Sequence, residues 1–181
     1  MLNPRASRWI LALASMVGLT LLGSPAQALE VGDQATDFSL PDASGKVHTL
    51  RSFREKRIFE VWYEGKNSRG QNQWLQDEIR VLRRAGKITD RNYRSIGIAN
   101  YRETAIPNFL MSVFLRQAVK RDRITVLIDR DATMQRLWGF RNGRSNIYVF
   151  DETRRLIWKS SGPLSRPRGR QFIRFILRVT R

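Results

Sequence analysis

Five side chains able to hold a ligand fall within one short stretch. Lys66, Asn67, Ser68, Arg69 and Gln71 lie in Gly65-Lys66-Asn67-Ser68-Arg69-Gly70-Gln71, between an apolar run and a helical one. Two cations beside a hydroxyl and two amides suit the grip of an anion or a peptide segment. A helix beginning there would add unpaired backbone N–H groups and the positive end of its dipole. The same polarity equally suits a loop that is merely solvated. Bond breaking finds less support. Ser68 needs a base to become a nucleophile, yet His48 is the single histidine and no Gly-x-Ser-x-Gly elbow is present. The loop also lacks the Gly-x4-Gly-Lys-Ser/Thr order of a nucleotide phosphate loop. A non-thiol enzyme using Ser68 or a carboxylate stays open as an alternative, with no partner residue in view.

Other candidates carry less. With no cysteine in 181 residues, thiol–disulfide exchange and thiol peroxidase chemistry are excluded, because both require a thiolate. One histidine and no thiol make a transition-metal site unexpected, and no cofactor is expected. Asp129-x-Asp131 opens like a calcium loop, but Thr133 and the lack of the required glycine favour a turn. The most patterned surface is C-terminal. Arg170, Arg174, Arg178 and Arg181 recur at helical spacing as one stripe, opposite Phe172, Ile173, Phe175, Ile176 and Val179. That stripe is either a solvated face or a contact for anions or an anionic membrane surface, with Arg166 and Arg168 leading in.

The formal charge of +17 sharpens the question of partners. Of the 33 basic residues 27 are arginine, so acidic lipid, phosphate or acidic protein would be attracted. A general arginine bias explains the excess equally well. Residues 1–28 read as a signal peptide: Arg5 and Arg8 precede the apolar run Trp9 to Leu22, Gly23-Ser24-Pro25 breaks it, and Ala26-Gln27-Ala28 offers small residues for cleavage. The run is short for a bilayer core of roughly 30 Å. Cleavage would leave 29–181, with 31 basic against 16 acidic residues. Export to the periplasm is therefore the expected localisation, and it makes nucleic acid an unlikely partner.

The elements that must position the loop follow from periodicity. Phe38 to Leu40 and Val47 to Leu50 form a hairpin about Pro41 to Gly45. Arg57 to Tyr63 is a strand and Trp74 to Ala85 a helix stopped by Gly86. Tyr93 to Ala99 is a strand, and Thr104 begins a helix with Pro107 in its first turn. Ile124 to Ile128 is a strand, Thr133 to Trp138 a short helix ended by Gly139, and Asn146–Phe150 with Arg155–Lys159 a second hairpin. Arg168 to Arg181 is the closing helix. The order predicts one mixed α/β sandwich.

Three places resemble the thioredoxin-like superfamily, in its redoxin and peroxiredoxin branch: Val31 to Leu50 as an opening hairpin, 57–85 as the strand-loop-helix core, and Asn146 to Leu164 as the late hairpin. Gly65-Lys66-Asn67-Ser68, Ala105-Ile106-Pro107 and Val126-Leu127-Ile128-Asp129 are similar to the small exported YtfJ-type family. The resemblance implies a thioredoxin-like α/β/α sandwich with a mixed central sheet and an N-terminal β-hairpin extension. It places Ser68 and Gln71 where active relatives carry their two cysteines. It puts Arg123-Ile124 where they carry a proline before the third central strand. The implied role is a non-catalytic binding or accessory protein of the envelope, its partner a protein segment or an anionic ligand.

Overall fold

Ile58-Phe59-Glu60-Val61-Trp62-Tyr63-Glu64 contains no turn former, and its side chains must alternate between two faces if it is extended. In the computed structural model, which describes residues 28–53, 58–103 and 124–181, this is β3, the middle strand of a five-stranded sheet. Phe59, Val61 and Tyr63 point into one apolar core, Ile58 and Trp62 into another. Both neighbours of β3 are supplied from far along the chain. β4 (Tyr93–Asn100) pairs parallel, with Ile58 opposite Tyr93, and β6 (Asn146–Phe150) pairs antiparallel, with Phe59 opposite Phe150. β5 (Thr125–Asp129) lies parallel outside β4, and β7 (Leu156–Ser161) antiparallel outside β6. The small hairpin is β1 (Ser39–Pro41) with β2 (Val47–Thr49).

Two helices cover the Ile58 face. α1 (Gln73–Arg84) inserts Leu75 and Ile79, and α3 (Arg166–Val179) inserts Phe172 and Ile176. Burying Phe172 and Ile176 completely contributes about 1.5–3 kcal/mol each. α1 ends where the sequence indicates. Gly86 takes φ +67° and the N–H groups of Gly86 and Lys87 return to the carbonyls of Arg83 and Leu82, closing the last turn. α3 begins two residues before the expected start, because the Ser165 side chain accepts from the Arg168 N–H and Pro167 fits the first turn.

The Phe59 face is covered by α2 (Thr133–Trp138), by the turn Leu50–Phe53 and by the segment leading into β1. Trp138 is fully buried, and its indole N–H donates to the Thr36 carbonyl at 3.0 Å. The Asp129 carboxylate accepts from the N–H groups of Thr133 and Met134 at 2.8 and 2.9 Å. The turn reading of Asp129-x-Asp131 therefore has a cause, since this carboxylate starts α2. His48 is likewise occupied: Nε2 lies 2.8 Å from Asp42 Oδ2 and the ring stacks on Phe53. The same N-terminal segment reaches both sheet edges, bridging Asp42 to Leu127 on β5 and Gln34 to Arg155 at the start of β7. The helix expected from Thr104 lies outside the described residues.

Candidate functional site

β3, β4 and β5 are parallel, and the last residue of each is polar: Glu64, Asn100 and Asp129. In sheets of this kind ligands bind beyond the carboxyl ends of the strands, where neighbouring connections diverge. The connection leaving β3 is the loop Gly65–Asn72. Lys66, Asn67 and Arg69 are exposed on it, Gln71 is half-buried, and Ser68 is completely buried.

Ser68 faces inward because its hydroxyl closes the loop, accepting from the Gly65 N–H at 2.8 Å. The Gln71 amide works in the same sense across a longer span. Its Nε2 donates to the Gly143 carbonyl at 3.0 Å, and its Oε1 accepts from the Ser145 N–H at 3.0 Å. Loop 65–72 is thereby clasped to the turn before β6, which exposes Arg141 and Arg144. Part of the expected row of N–H groups is spent inside the loop. Those of Ser68 and Arg69 go to the Gly65 carbonyl, those of Gln71 and Gln73 to the carbonyls of Ser68 and Gly70, as in any tight turn. The exposed side chains this rim offers a ligand are the cations Lys66 and Arg69 and the amide of Asn67.

Several residues that build the rim gave no motif in the sequence. Glu103 accepts from Gly143 N–H at 2.7 Å, from Asn100 Nδ2 at 3.1 Å and from Asn67 N–H at 3.3 Å. It therefore ties together three segments distant in the chain. A Cβ on Gly65 would lie 2.1 Å from its carboxylate, so glycine lets Glu103 reach these partners without being displaced. Glu64 accepts from the Ser145 hydroxyl at 2.6 Å. Burial pushes the Glu64 carboxyl up, while hydrogen bonds from Ser145 and Gln76 and the charge of Arg69 pull it back. Asn72 is fully buried and joins the start of α1 to the β7–α3 connection, donating to the Gly162 carbonyl and accepting from the Leu164 N–H. A polar residue ending each parallel strand was the readable signal.

The strand facing the loop corrects one expectation. The point opposite Ser68 and Gln71 precedes β6, not β5, because β6 is hydrogen-bonded to β3 whereas β5 lies beyond β4. Arg144 and Ser145 stand there, so proline is missing at that point too. The arginines of the closing helix lie elsewhere, on the outer side of α3. Arg170, Arg174 and Arg178 are all exposed, and Arg178 lies over the Phe175 ring at 5.8 Å.

No family profile and no curated protein matches the chain. Solved structures do. A protein assigned as the thiol:disulfide interchange protein DsbE of Chlorobium tepidum superposes with a TM-score of 0.61 at 16% identity, covering 85% of this chain and 100% of that one. The peroxidoxin BcpB of Mycobacterium tuberculosis gives 0.61 at 20% identity, over 84% and 99%. The fold is thioredoxin-like. The thioredoxin domain of a thiol-disulfide oxidoreductase from Bacteroides vulgatus adds a third case, with a TM-score of 0.56 at 12% identity over 82% and 99%. Identities this low carry the architecture alone. On this thioredoxin-like scaffold the strand-to-helix loop remains, without cysteine, and both Ser68 and Gln71 serve to hold the loop in place.

Proposed function

We propose that this is an exported, cysteine-free thioredoxin-like protein of the periplasm or cell envelope that binds rather than catalyses, akin to the small YtfJ-type proteins. One observation carries the reading. The two side chains at the positions of the reactive pair are drawn into loop-closing hydrogen bonds, while Lys66, Asn67 and Arg69 stay exposed beside Arg141 and Arg144. A rim of this composition receives an anionic group or a protein segment bearing one. Titration with inorganic phosphate, followed by amide NMR, tests it. Shifts should concentrate in loop 65–72 and turn 141–145 and disappear in a Lys66→Ala/Arg69→Ala variant. Shifts spread evenly over the arginine-bearing surface refute a rim site. N-terminal sequencing of the exported protein should begin at Leu29.

A second reading is favoured by α3, whose fourteen residues include five arginines and no carboxylate. On this reading the helix docks on an anionic envelope surface through Arg170, Arg174 and Arg178. Its apolar face is already packed in the core, so the contact is electrostatic and weakens with salt. Equal sedimentation with neutral and anionic vesicles at low salt sinks this reading.

A further inference from the structure

Asn142-Gly143 is the one Asn-Gly pair in the chain. It lies in the turn before β6, with Asn142 exposed and Gly143 at φ +67°. Having no Cβ, glycine leaves its backbone nitrogen least hindered for attack on the preceding side chain. The surroundings add hydrogen-bond donors on one partner of that attack and a carboxylate on the other. Asn142 Oδ1 accepts two amide hydrogens, from Asn100 Nδ2 at 2.7 Å and from Gln135 Nε2 at 2.8 Å. The Gly143 N–H donates to Glu103 Oε1 at 2.7 Å. Two donors on a carbonyl oxygen stabilise the negative charge that develops when its carbon is attacked. A carboxylate on the nucleophile's N–H is placed to take its proton.

We propose that Asn142-Gly143 is a self-modification site, at which the Glu103, Asn100 and Gln135 side chains promote conversion of Asn142 to aspartate or isoaspartate. The Gly143 nitrogen bonds to Asn142 Cγ as its proton passes to Glu103. The Cγ–Nδ2 bond then breaks, and the nitrogen takes the proton and leaves as ammonia. Water opens the resulting cyclic imide at either carbonyl. The net change is one water consumed and one ammonia released, with no oxidant or reductant. The product places a carboxylate between Arg141 and Arg144 in the sequence and lowers the net charge by one.

The test is a time course on the full folded chain at neutral pH, with peptide mapping by mass spectrometry. The fragment containing residues 142 and 143 gains about one dalton as an amide becomes an acid. The comparison is a synthetic peptide spanning residues 139–147. The folded chain should react faster than the peptide, and Glu103→Gln should slow it by about a hundredfold, the low end for loss of a general base. Gln135→Ala should also slow it. A folded chain that reacts more slowly than the peptide overturns the proposal, since the contacts would then be protective. That comparison needs no variant. A folded Glu103→Gln protein reacting at the wild-type rate overturns it as well.

Discussion

Glu60 lies at the centre of β3, fully buried on the face covered by α1 and α3, and among the described residues neither of its carboxyl oxygens has a hydrogen-bond partner of normal geometry. Burial pushes this carboxyl up from its ordinary value of 4.5; the nearby polar groups of Tyr93, Ser95 and Trp62 and the charge of Arg83 offset only part of that. The folded chain therefore keeps the Glu60 proton to higher pH than the unfolded chain does. Over that interval the folded state binds more protons, so stability falls as pH rises. For one proton the slope reaches about 1.4 kcal/mol per pH unit. Stability from this source is fully present below 4.5 and is lost as pH rises through the folded value. Glu60→Gln keeps the shape of the protonated acid and cannot ionise. Urea unfolding of both proteins, followed by tryptophan fluorescence across acid to neutral pH, gives the difference directly and cancels every other titrating group. The variant should match the wild type at the acid end to within about 1 kcal/mol, and gain on it as pH rises. A difference flat across the whole range refutes the reasoning.

Three further outcomes are expected. Gly65→Ala should destabilise by about 1–3 kcal/mol through overpacking, because the new Cβ meets the Glu103 carboxylate, and thermal melting measures the loss. Gly169→Ala should cost a similar amount, since its Cβ would lie 2.0 Å from the Trp74 ring that Arg166 covers; the indole emission of Trp74 should change with it. Asp42 is the opposite case to Glu60. Partial burial raises its carboxyl, but hydrogen bonds from Ser44, His48 and Lys46 outweigh this and hold it at about 2, below the ordinary 3.8. Its contribution is present above 3.8 and lost as pH falls through about 2. Asp42→Asn should flatten that part of the acid unfolding curve.

The parts of the fold that local pattern controls were legible. Thr133–Trp138 and Asn146–Phe150 have the expected limits, because a glycine at positive φ ends the first and turn residues bound the second. Lys66, Asn67 and Arg69 are exposed on the expected loop. What the sequence did not disclose depends on strand order. Nothing local tells that β6 rather than β5 faces the loop, and so the sequence alone points to Arg123-Ile124 for the missing proline. Nor does local pattern pair Glu103 with Gly143, or Gln71 with Ser145, since each contact joins segments brought together only by the sheet. In the sequence Ser68 reads as a rim residue, because serine is usually exposed. Hydrogen bonds between its hydroxyl and the Gly65 backbone turn it inward.

The segment before β3 touches both borders of the sheet, at Leu127 and at Arg155. Border strands carry unpaired backbone groups that invite pairing with another chain. A single continuous stretch of the chain thus shields two places where copies of this protein could zip together. Its removal should leave the central sheet with two adhesive margins, and self-association rather than simple unfolding is the consequence to expect.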